Sequence, residues 1–184
     1  RMGLPIEKIK IASNANNILT ELIEGGSYDL TKRELVKTIS PAMDILISSN
    51  IERILFDKFG SARTKELMDE LAKNRCYKLT DSELSVIKGD FEAVYGDDAY
   101  SKEIIAKYAA KGYLMDPHTA LCVKAYAANG KKTVMYSTAE WTKFSPSVLE
   151  ALNPAEKGAR DKEAIEKVKT IYPYKLHADI EKLL

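Results

Sequence analysis

Residues 43–56 read Met43-Asp-Ile-Leu-Ile-Ser-Ser-Asn-Ile-Glu-Arg-Ile-Leu-Phe56, and the rest of the chain is arranged around this stretch. The apolar run from Ile45 to Ile47 predicts a short strand, and the apolar residues after Asn50 recur at helical spacing. Ser49 and Glu52 have the spacing of a capping box, in which each side chain satisfies a backbone N–H of the first helical turn. A strand that ends at such a helix start leaves amide groups and the positive end of the helix dipole facing outward, which is a general anion site.

Two interpretations of this turn stay open. Most capped helices bind no ligand, so the same residues also suit an ordinary connection between a strand and a helix. Arg53, one turn into the helix, is either a phosphate ligand or a solvated surface charge.

Composition limits the class of protein. With 184 residues and 45% hydrophobic content, the chain can form a real core in one domain or slightly more than one. A net charge of +1, from 28 Lys and Arg against 27 Asp and Glu, argues against a nucleic acid or a membrane as a partner. Its two cysteines lack metal-site spacing and indicate a reducing compartment, so we expect a cytoplasmic protein.

Four segments are predicted along the chain. Residues 1–60 form an α/β segment with two strands, and residues 61–130 a mainly helical segment. Residues 131–152 form a third strand and a helix that rejoin the α/β core, and residues 153–184 form a charged helical tail. The alternation of strands and helices in the first segment predicts an α/β fold, with a partial parallel sheet, flanking helices and a helical insertion.

Local signals predict the individual elements. Strands are expected at residues 9–12 and 132–136, in addition to the run that precedes Ser48. Thr80, Ser101 and Asp116 are expected to cap helices. Pro117 suits the first helical position, because the backbone N–H that proline lacks would have no acceptor inside the helix there. Further helix limits are predicted at Gly25-Gly26, Gly112, Asn129-Gly130, Ser145-Pro146 and Pro173.

Polar residues follow each predicted strand. In parallel sheets, ligand sites gather at the carboxyl ends of the strands, so Asn14, Ser48 to Asn50 and Ser137-Thr138 are expected to converge. Catalytic motifs are absent from the sequence: it has no Gly-rich phosphate loop, no Cys/His metal spacing and no nucleophile elbow. His118, at a helix start that favours the neutral imidazole, is either a base or a structural residue, and His177 is interpreted as a surface residue.

Six short blocks then carry a resemblance to a known family. In order they are Gly3-Leu-Pro-Ile6, Ile11-Ala-Ser-Asn14 with Asn17, Thr38-Ile-Ser-Pro-Ala-Met-Asp44, Ser48-Ser-Asn-Ile-Glu-Arg-Ile-Leu-Phe56, Gly112-Tyr-Leu-Met-Asp-Pro-His-Thr-Ala120 and Ser137-Thr-Ala-Glu-Trp-Thr-Lys-Phe144. Together they resemble the carboxyl-terminal part of threonine synthase of the long bacterial and fungal type. The blocks cover residues 3–152, and the tail after residue 153 adds little.

The resemblance implies an enzyme of pyridoxal-phosphate fold type II, the tryptophan-synthase-β type. That family converts O-phosphohomoserine and water to threonine and phosphate, by γ-elimination followed by β-addition of water. The cofactor supplies the electron sink, and the protein supplies orientation and proton transfer.

The resemblance also implies that part of the active site lies elsewhere. In the family, the Schiff-base lysine and the loop that holds the cofactor phosphate both precede the equivalent of Gly3, so no lysine of this chain receives that role. We therefore expect a carboxyl-terminal fragment that is inactive and without cofactor when alone. Its expected partners are the missing amino-terminal part of its own chain and a small phosphorylated amino-acid substrate.

Residue by residue, the resemblance assigns Thr138 to the cofactor, near its pyridine nitrogen. A neutral hydroxyl there does not hold the nitrogen protonated and so moderates the electron sink. The other interpretation is a hydroxyl that makes a turn at a strand end. Glu140-Trp141 replaces the usual His-Pro of the family, which puts any role of the missing histidine in doubt.

Four further residues match family positions as substrate-binding candidates: Asn50, Arg53, Asp116 and His118. A helix cap explains Asp116 without any ligand. Two other functions stay open, a threonine-synthase-like phospho-lyase acting on another phosphorylated substrate and a non-catalytic interaction module.

Overall fold

The computed structural model describes residues 5–127 and 131–172. The chain divides into two compact units, Arg1–Gly96 and Asp97–Leu184. This division falls inside the segment 61–130 that the sequence predicts as one helical insertion.

The first unit combines a parallel pair of strands with helices. In chain order it contains β1 (Ile9–Ser13), α1 (Ile18–Gly25), β2 (Ser27–Asp29), α2 (Ser49–Asn74), β3 (Cys76–Lys78), α3 (Asp81–Asp90) and β4 (Phe91–Tyr95). β1 pairs in parallel with β4, with Ile9 opposite Phe91 and Ser13 opposite Tyr95, and β2 pairs antiparallel with β3. The predicted first strand is therefore confirmed, and a parallel pair of strands is present as the predicted fold class requires. Its second strand is β4, which was not predicted, and β2 and β3 were not predicted either.

An apolar core holds these elements together. Its buried members come from all the helices and from β2, β3 and β4, and they are Ile18, Leu22, Ile23, Tyr28, Leu30, Ile51, Leu55, Leu67, Leu71, Tyr77, Leu79, Ile87 and Phe91. α1 ends at Gly26, whose φ of 73° is the left-handed conformation that glycine adopts without strain, as its sequence predicts.

The predicted strand at residues 45–47 is wrong. The segment is a connection in which Ile45 and Ile47 are 45% and 68% exposed, while Leu46 packs against the core. A strand requires a neighbouring strand to satisfy its backbone groups, and within the described residues no strand pairs with this run.

The predicted capping box of Ser49 and Glu52 is also wrong. α2 begins at Ser49, so Ser48 is the N-cap residue, and its side chain makes no capping hydrogen bond. The shift by one residue places Glu52 at the fourth helical position, where its side chain does not have the reach of a capping box. α2 is interrupted at Gly60, which has φ 78° and ψ 176°.

The second unit is helical in the part that the structure describes. It contains α4 (Asp98–Ala109), α5 (Pro117–Ala127), α6 (Ser145–Leu152) and α7 (Asp161–Ile171), with short 3-10 turns at Trp141–Phe144 and Pro154–Glu156. Its core includes Ile105, Leu114, Trp141, Leu149 and Val168.

The predicted third strand at residues 132–136 is wrong as well. Val134 and Tyr136 are 83% and 80% exposed, and none of the described strands lies beside them. The alternating pattern is correct for a strand, but pairing depends on a neighbour that a local pattern does not reveal. The expected helix end at Asn129-Gly130, the break at Pro173 and the surface residue His177 lie outside the described residues.

Helix starts follow the local signals more closely. Thr80 caps α3 and Asp116 caps α5 ahead of Pro117, both as predicted. Glu83 completes a capping box with Thr80, which was not predicted. Ser101 is not a cap, because Asp97 caps α4 and the Ser101 hydroxyl donates to the carbonyl of Asp97 at 3.1 Å. No helix in the described part of the chain is long and apolar enough to cross a membrane.

Candidate functional site

The candidate residues divide between the two units. Asn50 and Arg53 lie on α2 of the first unit, whereas Asp116, His118 and Thr138 belong to the second unit. Each unit therefore presents its own part of the candidate site, and the convergence of all these residues stays a prediction.

A cavity of about 360 Å³ opens in the first unit beside β1 and the start of α2. Its polar lining comes from Ser13, Asn14, Asn16, Ser48 and Asn50. Its apolar walls come from Ile9, Ile11, Ala12, Ile18, Leu19, Ala42, Met43, Ile45, Ile51, Ile54 and Phe91. The structure thus brings the predicted residues that follow β1 and those at the start of α2 to one cavity.

Arg53 lies elsewhere on α2. Its side chain is exposed and it is not among the residues that line the cavity. The structure therefore leaves Asn50 as the substrate-binding candidate of the first unit that faces the cavity.

A polar network centred on Asp44 supports one side of this cavity. Asp44 Oδ1 accepts hydrogen bonds from Asn14 Nδ2 at 2.8 Å, Asn16 Nδ2 at 3.1 Å and Thr38 Oγ1 at 2.7 Å. Asp44 Oδ2 accepts from the backbone N–H of Thr38 at 2.9 Å. The network ties the segment that ends at Asp44 to the turn after β1, and it joins two of the blocks that carry the family resemblance.

Tyr28 fixes the turn that leads into α2. Its buried hydroxyl donates to the carbonyl of Leu46 at 2.7 Å and accepts from the backbone N–H of Ser48 at 3.2 Å. Its ring stacks on that of Tyr77, with centroids 5.1 Å apart and planes at 16°. Burial raises the pKa of Tyr28 despite the hydrogen bond from Ser48 that lowers it. Tyr28 therefore positions the backbone just before Asn50.

In the second unit, the Asp116 carboxylate lies at the start of α5, with its side chain 0% exposed. Its Oδ1 accepts from the backbone N–H groups of His118 at 2.9 Å and Thr119 at 3.4 Å. Burial alone would raise the pKa of this carboxyl, but the hydrogen bonds from His118 and Thr119 outweigh it and lower the pKa below its ordinary value. Asp116 is therefore ionised at neutral pH.

His118 is held from two sides. Its Nδ1 lies 2.8 Å from Asp116 Oδ1, and its ring contacts the ring of Phe144 with centroids 4.5 Å apart and planes at 55°. Because the ionised carboxylate only accepts, the proton of the neutral ring is on Nδ1 and the lone pair is on Nε2. This arrangement gives an imidazole of fixed tautomer, which can accept a proton at Nε2.

Thr138 lies in a stretch without regular secondary structure that precedes the turn Trp141–Phe144, and its side chain is exposed. Its neighbour Ser137 is linked to α5, because Ser137 Oγ lies 3.2 Å from Thr119 Oγ1. An exposed neutral hydroxyl fits a hydrogen bond to a pyridine nitrogen, which is the role that the resemblance assigns to Thr138. No group of three metal-ligating side chains occurs in residues 5–127 and 131–172.

Several residues that shape these sites were not predicted from the sequence, namely Tyr28, Asp44 and Thr119. Two of them, Asp44 and Thr119, lie inside the blocks that carry the family resemblance, and that membership could have marked them as candidates. Tyr28 gave none, because its contact with the residues before α2 joins positions 20 apart in the chain.

Comparison with known proteins gives the family. None of the family models compared with the chain matches it. The chain is 36% identical over 162 residues to human Threonine synthase-like 1, which covers 84% of this chain and 22% of that protein. It is 35% identical over 176 residues to threonine synthase of Saccharomyces cerevisiae, which covers 83% of this chain and 34% of the yeast protein.

A solved structure agrees with these relatives. The crystal structure of pyridoxal-phosphate-bound threonine synthase from Brucella melitensis superposes with a TM-score of 0.75 and 32% identity, covering 99% of this chain and 40% of that one. This similarity confirms the predicted fold class, the carboxyl-terminal part of the tryptophan-synthase-β-like fold. The chain spans about a third or less of the length of the two curated relatives. The chain belongs to the threonine synthase family and corresponds to the carboxyl-terminal part of those proteins.

Proposed function

We propose that this chain supplies one part of the active site of a pyridoxal-phosphate-dependent threonine synthase, which converts O-phosphohomoserine and water to threonine and phosphate. The observation that carries the proposal is the similarity to a pyridoxal-phosphate-bound threonine synthase over 99% of this chain but only 40% of that protein. Bound cofactor supplies the electron sink for this reaction. The residues of this chain bind, orient and exchange protons around it.

Thr138 is the cofactor-binding residue in this proposal. Its hydroxyl is exposed, and it holds the pyridine nitrogen by a hydrogen bond without adding a charge beside it. Asn50 orients the substrate from the cavity side of α2. Arg53 lies on the same helix outside the cavity lining, and in this proposal its exposed positive charge attracts the phosphate group. Asp116 and His118 form the substrate-side pair of the second unit, in which His118 Nε2 accepts or returns a proton.

The partner of this chain is the amino-terminal part of threonine synthase, which carries the Schiff-base lysine and the phosphate-binding loop in the family. The first unit has apolar surface that such a partner would cover. Ile6, Ile9, Ile45 and Ile47 are exposed, and the cavity beside β1 has mostly apolar walls. Because the Schiff-base lysine and the phosphate-binding loop belong to that partner in the family, the chain alone is inactive and does not retain the cofactor. Both cysteines, Cys76 and Cys122, are free thiols, which suits a cytoplasmic enzyme.

Phosphate release tests the proposal. The 184-residue chain is assayed with O-phosphohomoserine and pyridoxal phosphate, alone and after co-expression with the amino-terminal part of a threonine synthase. We expect no phosphate release from the chain alone and threonine together with phosphate from the combined protein. Turnover by the isolated chain, or an inactive combination whose two parts co-purify, would contradict the proposal.

A threonine-synthase-like phospho-lyase acting on another phosphorylated substrate is the second candidate. One observation favours it: Glu140-Trp141 stands in place of the usual His-Pro of the family. A panel of phosphorylated amino acids and amino alcohols, offered to the combined protein, separates the two activities by their relative kcat/KM. A non-catalytic interaction module would show neither activity, and its upstream sequence would lack the Schiff-base lysine.

A further inference from the structure

The Asp116 carboxylate accepts four hydrogen bonds from inside the protein. Oδ1 accepts from two backbone N–H groups and from the ring of His118, and Oδ2 accepts from the hydroxyl of Thr119. The side chain is 0% exposed. A carboxylate in this state has no accessible surface that a substrate could reach. Its effect on a bound molecule must therefore pass through its neighbours.

The first neighbour is His118. A neutral imidazole in water favours a proton on Nε2, whereas the 2.8 Å contact between Asp116 Oδ1 and His118 Nδ1 requires a proton on Nδ1. The carboxylate thereby selects the less common tautomer and leaves the lone pair on Nε2. Phe144 restricts rotation of the same ring from its face.

The second neighbour is Thr119, whose hydroxyl lies between Asp116 and the stretch that carries Thr138. Thr119 Oγ1 donates to Asp116 Oδ2, because an ionised carboxylate only accepts. The same hydroxyl contacts Ser137 Oγ at 3.2 Å, with Thr119 on the donor side of that contact. Asp116 and Ser137 are therefore linked through one threonine hydroxyl. This link holds the stretch at the residue next to Thr138.

We propose that Asp116 is a positioning residue that acts on both candidate groups of the second unit: it sets the tautomer and orientation of His118, and through Thr119 and Ser137 it fixes the segment that carries Thr138. The proposal rests on the proposed function only for naming His118 and Thr138 as site residues. A helix cap alone needs only the two backbone N–H groups. The ring nitrogen and the threonine hydroxyl go beyond that need.

The effect of Asp116 on His118, which we call the histidine arm of the proposal, is tested by ¹⁵N NMR of the imidazole in the 184-residue chain, at a pH where the ring is neutral. We expect the Nδ1–H tautomer for His118, with its signal assigned by a His118→Gln variant, and loss of that tautomer toward Nε2–H in Asp116→Asn. The amide keeps an oxygen for the helix cap but removes the charge that selects the tautomer. An Nε2–H tautomer in the unsubstituted chain overturns this arm, as does an unchanged tautomer in Asp116→Asn.

The effect of Asp116 on the segment that carries Thr138, which we call the threonine arm of the proposal, is tested by ¹³C relaxation of the Thr138 methyl group. Ser137→Ala removes the oxygen that the Thr119 hydroxyl contacts without touching His118, and we expect a lower order parameter at Thr138 and an unchanged His118 tautomer. Thr133→Ala is the matched control, because the Thr133 hydroxyl lies in the same stretch and donates locally to the carbonyl of Lys131 at 3.0 Å. Equal Thr138 order parameters in the unsubstituted chain, Ser137→Ala and Thr133→Ala would overturn this arm.

Both measurements need neither substrate nor cofactor. A failed phosphate-release assay together with the expected tautomer and methyl order would reject the proposed function and leave the positioning role intact. Ser137→Ala and the tautomer of the unsubstituted chain decide the proposal even when Asp116→Asn does not fold.

Discussion

Replacing Tyr28 by phenylalanine removes one hydroxyl that serves two backbone groups. The Leu46 carbonyl loses its donor at 2.7 Å, and the Ser48 N–H loses its acceptor at 3.2 Å. A hydrogen bond contributes about 0.5–1.5 kcal/mol net, so Tyr28→Phe should lower the free energy of unfolding by about 1–3 kcal/mol. The ring and its stacking on Tyr77 remain, so the loss reports the hydroxyl alone.

Tyr77→Phe is the matched control for this measurement. The Tyr77 hydroxyl is buried and has no hydrogen-bond partner among the described residues. Because removing an unsatisfied buried hydroxyl relieves a desolvation cost, we expect Tyr77→Phe to be neutral or stabilising. Both rings belong to one stack, so the two variants differ mainly in the hydrogen bonds that they remove.

The assay is urea unfolding followed by far-UV circular dichroism, with Trp141 fluorescence as a separate report on the second unit. Hydrogen exchange at the Ser48 amide gives a local reading, and it should accelerate in Tyr28→Phe only. Equal destabilisation by the two variants, or slow exchange at Ser48 in Tyr28→Phe, would refute the assignment of Tyr28 to the start of α2.

The remaining predictions concern charge, backbone and ionisation. Asp44→Ala should destabilise the chain by about 2–3 kcal/mol in urea unfolding, because buried donors lose a charged acceptor. Gly60→Ala should cost about 1–3 kcal/mol because φ is 78°, whereas Gly89→Ala, inside α3 with open space around it, should gain about 0.5–1 kcal/mol; reversed signs would refute this reading. The stability that Asp116 contributes should be complete above its ordinary pKa of 3.8 and lost as pH falls through the lowered folded value, so Asp116→Asn should flatten that part of an acid titration. Burial raises the pKa of Tyr77, so stability should fall as pH rises above 10.0, less steeply in Tyr77→Phe; identical alkaline curves would count against this.

The sequence predicted the elements whose signals are local. β1, the glycine that ends α1, the helix cap at Thr80 and the Asp116-Pro117 start of α5 each depend on residues within one turn, and each is confirmed. Their formation needs little from the rest of the chain, so a single sequence contains enough information.

The failures share a different cause. The runs at 45–47 and 132–136 have the composition of strands, but a strand forms only where a second one offers its backbone groups. β4 was missed because it follows α3 with no intervening turn, and Gly89, the glycine just before its start, lies inside the helix and marks no turn. Local pattern alone carries no information about such neighbours.

The candidate site shows the same division. Asn14, Ser48 and Asn50 were predicted to lie together from the order of strands and helices, and they line one cavity. The contacts that support them are long-range, such as the one between Tyr28 and Leu46 or between Thr119 and Ser137. A resemblance marks some of these residues as members of a block but does not say which atoms meet.

The two thiols provide a ready means of measuring how the halves of this protein are arranged. Cys76 opens β3 in the first unit and Cys122 lies on α5 in the second, and the chain contains no other cysteine. Burial raises the pKa of the Cys122 thiol, so a maleimide dye at neutral pH should modify Cys76 first and leave Cys122 for a second colour. Energy transfer between such a donor and acceptor would report the separation of the two units in solution, with and without the amino-terminal partner, and no residue would have to be substituted.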